Sequence, residues 1–569
     1  MKSNVVVVVA VGLVGVGFAS AQVTSRVSVL PNGVQANGAC REIVIASGGG
    51  HIAFSSQATN LVSGDTSDRW DIFVADLTTG VITRESVDSS GAEANEYSWT
   101  PSLSADGRWV AFVSVATNLV PQSGIGQQAY LRDRWLGSTV VLNVDAQGVP
   151  ALPESGDPFV SDDGRYVAFW SQAPLVAGDG NSQPDVYVRD LLTATTERVS
   201  LGLGGGDPLG ASWPQAISAD GRFVVIYSTA SNLVPNDTNG QRDMFVFDRA
   251  TGSTERISVS SSGVEGNANS GGYGADFTAD GRFVVFTSEA SNLVAGDTNG
   301  RRDAFLRDRL LGTTERMSMA PNGAQSSNEV QSCALSDDGT RFVATMHSPG
   351  MPPWIPAWTH VYVRDLPSGL ARAVALTSMG NIANSSTFGS ASSISANGSR
   401  IAYWTSATNL VSGDTNGFAD VYLLDLGACP APLNYCTATV NSLGCTPALE
   451  WLGTPSLSAP SGFTIRARDV LPDCNGALLY GLSSTAVPFH GGVRCVFSSL
   501  RRLLLPPAVA SGSGPCAGVY DVGLDQILAS DAGATLFVGQ RVFTQICSRD
   551  PGSPTGWGLT DGLMFVICP

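Results

Sequence analysis

Lysine is all but missing. Lys2 is the only one in the chain, so the remainder has no side-chain amine for Schiff-base or general-base work. Histidine is scarce. His51, His347, His360 and His490 stand in unrelated contexts, and no His-Glu-x-x-His occurs, which excludes that zinc peptidase signature. The last quarter has no Gly-x-Ser-x-Gly elbow, so no α/β-hydrolase is appended. No phosphate loop or dinucleotide fingerprint appears. Positive charge is short, with 32 Lys+Arg against 49 Asp+Glu. That balance argues against nucleic acid as a partner. It is compatible with cations, cationic surfaces or neutral glycans, and otherwise serves solubility. After Phe18 no run is apolar enough to span a membrane, which takes about 20 residues.

What stands at the start is a secretory signal. Lys2 precedes an apolar run from Val5 to Phe18, and Ala19-Ser20-Ala21 forms an A-x-A cleavage site. Residues 1–21 are therefore expected to be removed, with an uncleaved anchor as the alternative. The mature chain is expected to be secreted, periplasmic or on the bacterial cell surface.

Residues 22–427 repeat. Asp106, Asp163, Asp220, Asp280, Asp338 and Asn397 each open a Gly turn, at steps of 57, 57, 60, 58 and 59 residues. A weaker copy at residues 46–54 comes first and makes seven. Each copy carries four strand signals. In the fifth these are "GADFT", the Asp280-Gly281 hairpin turn, "RFVVFTSEA", "DAFLRD" and "TTERMSM". Four-stranded units at a long fixed period predict an all-β, seven-bladed β-propeller. The seventh copy lacks its fourth strand, and "TSRVSVLPNGVQANG" at residues 24–38 matches the missing piece. The N-terminal strand is therefore expected to close the ring.

The Ser-Ala-Asp-Gly-Arg turns with their "FVVF" strands resemble the WD-like propeller repeat of TolB-type periplasmic proteins. The resemblance covers residues 23–427. It implies a scaffold used for binding, beside peptidases or, in some relatives, as a lyase. The long Asp-rich loop departs from the usual repeat.

That loop reads "DTNGRRD" at Asp297–Asp303, and it shares one face of a propeller with the Gly/Ser/Asn-rich loops. Two readings stand. In the first, the Asp, Asn and Gly residues make an Asx-type turn. In the second, Asp237/Asn239/Asp243, Asp297/Asn299/Asp303 and Asp414/Asn416/Asp420 supply three oxygens each to a weak calcium site, with carbonyls or water completing the shell. Arg301, Arg302 or Arg242 would neutralise the Asp pairs without metal. The Asp that ends the third strand recurs in all seven copies (Asp76 to Asp425) and reads as turn chemistry on the opposite face. The sixth copy breaks the phrase and holds Met351, Trp354 and Trp358 on a Pro-stiffened loop. These rings either bind a sugar or partner side chain or fold down over the channel.

Residues 428–569 form a second domain, expected to be a small disulfide-rich β-sandwich. Its eight cysteines, Cys429, Cys436, Cys445, Cys474, Cys495, Cys516, Cys547 and Cys568, imply four disulfides in an exported module. Zinc is the rival reading, but no Cys-x2-Cys pair occurs. "YCTATVNSLGCTP" and "GLMFVICP" resemble a C-terminal module of exported planctomycete-type proteins. A terminal module of this kind is read here as serving attachment or sorting. Cys40 and Cys333, on blades that are not neighbours, are expected to stay unpaired and partly buried. Taken together, the sequence reads as a binding platform for a protein or glycan. The alternatives are a carbohydrate lyase or hydrolase on the propeller, or a structural cell-envelope protein.

Overall fold

In a computed structural model the chain divides into two compact units, Thr24–Asp425 and Leu426–Pro569. The structure describes residues 23–121, 126–319, 325–326, 329–347, 359–366, 371–377, 382–390, 393–426, 433–434, 438–453, 455, 460–481, 483–489, 492–497, 501–510, 514–530 and 541–566. Among these, no helix is long and apolar enough to cross a membrane.

Among the described residues, the first unit is seven four-stranded antiparallel sheets, six of them in simple chain order. The fifth sheet shows why. Its strands are Ser270–Phe277, Phe283–Ser288, Asp303–Asp308 and Thr313–Arg316. The two middle strands, FVVFTS and DAFLRD, bring Phe283, Val284, Val285, Phe286, Phe305 and Leu306 together and are buried on both faces. One face packs on the fourth sheet, where Phe286 and Phe305 join Phe223, Val225 and Met244 in a shared core. Burial between sheets is thus the stabilising interaction, and a lone sheet would leave both faces wet.

The Asp-Gly turn differs from the expected tight hairpin. Only Gly281 has positive φ (66°). Thr278 N–H bonds to Phe283 O across a longer loop, and the Asp280 carboxylate accepts from Arg282 N–H at 3.0 Å and from the Thr278 hydroxyl. Asp280 supplies a cap rather than a left-handed residue. The next-door sheet also leans on this turn. A Cβ on Gly221 would lie 2.1 Å from the Tyr166 ring, and one on Gly281 2.5 Å from the Phe223 ring.

The seventh sheet runs Thr387–Phe388, Arg400–Thr405, Asp420–Asp425 and then Val23–Arg26, so the chain's first strand is the last sheet's outer strand. Val27 N–H bonds to Val421 O at 2.8 Å, and Ser28 donates to Asp420 at 2.5 Å. The seventh sheet also meets the first, through Cys40 N–H to Ala419 O and Ala396 N–H to Ser47 O.

Cys40 and Cys333 are free thiols, as expected, but they are fully rather than partly buried. Each sits on an inner strand, Cys333 in an apolar core and Cys40 against the Ser56 hydroxyl at 3.3 Å. Burial pushes the Cys40 thiol up to about 12, so it is inert as a nucleophile.

The second unit holds a five-stranded and a four-stranded sheet. Phe463, Ile465 and Val522 on the smaller sheet face Leu478, Val542, Ile546 and Phe565 on the larger in one core, which makes a β-sandwich. A short helix, Leu524–Ser530, had no counterpart in the sequence reading. Cys445 is bonded to Cys516. Cys474 and Cys547, expected in disulfides, are thiols here. Ala477 is the residue that pairs with Cys547, so Cys474 is three residues out of register. Cys429, Cys436 and Cys568 lie outside the described residues, as does the side chain of Cys495.

Candidate functional site at the loop-rich face

The repeated phrase folds into a closed ion-pair cluster. In the fifth sheet Arg316 Nη1 lies 3.0 Å from Asp297 Oδ1 and 3.7 Å from Asp303 Oδ2. Asn299 Nδ2 donates to Asp303 Oδ2 at 2.8 Å and to Ser326 O at 3.1 Å, while its Oδ1 accepts from Arg301 N–H. Ser318 donates to the other Asp303 oxygen. The fourth sheet repeats this. Arg256 reaches Asp237 at 3.2 Å and Asp243 at 3.5 Å, with Asn239 and Ser258 on Asp243. In the seventh, Arg26 reaches Asp414 at 3.4 Å and Asp420 at 3.9 Å, with Asn416 and Ser28 on Asp420. Arg84 and Arg198 hold the corresponding place in the first and third sheets.

The paired side chains are buried, and burial raises the Asp243, Asp297, Asp303 and Asp420 carboxyls despite the arginines; Asp237 is pushed up to about 6. A guanidinium thus sits between each Asp pair, where a divalent ion would have to sit. Among the described residues, no group of three or more His, Cys, Asp or Glu is placed to hold a metal.

The arginines are not those expected. Arg301 is exposed on the loop. Arg242 donates to Ser270 O and Gly271 O, and Arg302 to Val330 O and Glu329. The true partner lies on the outer strand, in an Arg-x-Ser pattern, because strand pairing sets Phe305 beside Arg316, two residues from Asp303. A signal was present in the sequence. The second copy has Gln128 for the Asp, and there Val141 and Asn143 replace Arg and Ser. The sixth has His360, with Ala373 and Ala375. The two copies without the Asp pair are the two without the Arg.

With the phrase accounted for, the exposed chemistry of this face lies at the central channel. In the first three sheets the inner strand bulges at Glu42, Thr100 and Asp157, with φ of 47°, 46° and 42°. Such bulges re-aim side chains. Beside them stand aromatic rings. Trp213 stacks on Tyr227 at 5.0 Å, and Phe388 on Trp404 at 4.4 Å. Trp170 Nε1 donates to Asp157 at 3.1 Å. Arginines lie over the rings. Arg41 sits 5.3 Å from Trp70 and 5.8 Å from Trp404, Arg242 5.1 Å from Tyr227, and Arg302 3.4 Å from Tyr273. Burial raises the Asp157 carboxyl above the usual range, against the Trp170 hydrogen bond. Glu42 is engaged by Thr100 N–H at 3.0 Å and the Ser55 hydroxyl at 3.3 Å. Of these residues the sequence pointed only to Arg242 and Arg302, and to those for the Asp pairs rather than for the channel. Trp354 and Trp358, the rings the sequence pointed to, lie outside the described residues.

Further down, the inner strands enclose about 80 Å³ lined by Val44, Leu103, Val160, Ile217, Phe277, Asp162, Asp276 and Asp337. Backbone bonds from Ala105 to Asp162, Asp163 to Ala219, Ala279 to Asp337 and Asp338 to Ala396 draw the turns together at this end.

No family model and no curated protein matches the chain, so the likeness of residues 429–569 to planctomycete-type modules gains no support. Solved structures do match. TolB from Acinetobacter baumannii is 15% identical with a TM-score of 0.33, covering 59% of this chain. This chain spans 63% of that protein's length. Oligogalacturonate lyase from Vibrio parahaemolyticus is 12% identical, TM-score 0.38, covering 72% of this chain and 98% of its own. Putative TolB from Agrobacterium tumefaciens is 14% identical, TM-score 0.33, covering 53% and 87%. Nothing beyond the fold is taken from these likenesses; by its own seven four-stranded sheets the chain is an all-β protein of β-propeller type.

Proposed function

We propose that the chain is an exported binding platform whose ligand, a glycan or a protein, seats on the aromatic mouth of the channel. The observation that carries this reading is the set of half-buried rings there, above all the Trp213/Tyr227 and Phe388/Trp404 stacks. Rigid aromatic faces suit sugar rings and partner side chains. A pull-down of glycans and proteins with the mature chain tests it. Trp213→Ala with Trp404→Ala should lose the captured ligand while the melting temperature stays within a few degrees. Capture that is unchanged in this variant would sink the reading. No capture at all would favour the structural-envelope alternative.

A second reading, a carbohydrate-active enzyme, is favoured by Asp157 alone, a carboxyl raised by burial beside Trp170. A raised carboxyl is suited to general-acid work. Turnover of a polysaccharide that is lost in Asp157→Asn would establish it. The Asp-rich loops are read as turns locked by arginine, so millimolar calcium should leave the melting temperature unchanged. The second unit is assigned to attachment or sorting. Deleting it should release a cell-associated protein into the medium, and equal release of both forms would overturn that assignment.

A further inference from the structure

We infer that Arg41 is the charge-reading element of this mouth, and that it selects a carboxylated sugar residue. The inference rests on the platform reading above and narrows it to one ligand class. Three arginines lie over aromatic rings here, and two are spent. Arg242 is held by two carbonyls, and Arg302 by a carbonyl and Glu329. Arg41 is exposed, and among the described residues no carboxylate pairs with its guanidinium. The nearest acid in sequence, Glu42, is turned to Thr100 and Ser55.

The setting holds Arg41 open. Its guanidinium lies over both the Trp70 and the Trp404 ring, and Phe388 stacks on Trp404. Trp70 is fixed through its carbonyl, which accepts from Ser98 N–H at 2.7 Å. Stacking on ring faces leaves the guanidinium edge free, and that edge matches a carboxylate with two parallel hydrogen bonds. The neighbouring rings offer flat surfaces to the C–H face of a pyranose. A ligand with both features is an acidic sugar. Long-range attraction does not help it, since the chain carries a net charge of -17. Recognition is therefore local, within the roughly 8 Å over which charges act at physiological salt.

Affinity electrophoresis of the mature chain tests this, in gels holding alginate or hyaluronan, each beside its methyl-esterified form. Esterification keeps the rings and removes the charge. At least one acidic polymer should retard the protein about tenfold more strongly than its ester. Arg41→Gln should remove that difference, and Arg41→Lys should restore part of it. The substitution is exposed, so an unchanged melting temperature is expected and serves as the folding control. Equal retardation by polymer and ester, or by wild type and Arg41→Gln, overturns the inference. If a neutral glycan or a protein binds instead and Trp404→Ala abolishes that binding, the platform stands and the charge-reading role fails. If no ligand of any kind binds, both fail.

Discussion

At the scale of single residues, five arginines, Arg26, Arg84, Arg198, Arg256 and Arg316, lock the Asp-rich turns. Arg316 is 7% exposed and faces two carboxylates that are more deeply buried still. Such a pair is costly to break and cheap to replace whole. Arg316→Met should destabilise the first unit by about 3–5 kcal/mol, because it leaves two buried charges unpaired. Adding Asp297→Asn and Asp303→Asn should recover most of that loss. Urea denaturation of the single and triple variants checks this; a triple variant no better than the single would show that the cluster is not an ion-pair lock. The sequence displayed both Asp residues and the Arg, but not their meeting. Neighbours in the chain, Arg301 and Arg302, looked nearer than a residue one hairpin away. Only strand register reveals which of them is close.

At the scale of elements, the repeated turn does two jobs with one glycine. Gly221 holds φ of 70° and has the Tyr166 ring against its α-carbon. Gly240, in the Asp-rich loop, holds φ of 64° with nothing within 4 Å. Gly240→Ala should therefore cost only the left-handed penalty, about 1–2 kcal/mol. Gly221→Ala adds a clash of an overpacked kind, a further ~1–3 kcal/mol. Equal losses in chemical denaturation would mean that sheet-to-sheet packing at the turn contributes nothing. Strands and turns were legible because the period exposes them seven times. The inner-strand bulges at Glu42, Thr100 and Asp157 were not. Their residues differ in every copy, so no repeated local pattern marks the shift in strand register. The Trp213/Tyr227 and Phe388/Trp404 stacks were missed because the rings of each stand opposite one another only once strand register is known, and Arg41 because its ring Trp404 belongs to another copy.

At the scale of the whole molecule, the channel floor should contribute to the pH response. Burial, then the neighbouring Asp162, push Asp337 up to about 7, against about 3.9 in an unfolded chain. The folded state then holds a proton that the unfolded state has released. Stability should fall as pH rises from about 4 to about 7 and level off above. Asp337→Asn should flatten that part of the curve, and identical slopes in both proteins would exclude the effect. The seam between first and last strands has a different consequence, one of time. Ser28 and Asp420 lie 392 residues apart in the chain and 2.5 Å apart in space. Contacts of such separation form late and slowly. A chain emerging from its N-terminus must keep its first strand unpaired until nearly the whole ring has been made. Until then the Arg26 site is half built and Arg41 lacks Trp404, so a nascent or truncated chain carries the residues of the mouth without its geometry.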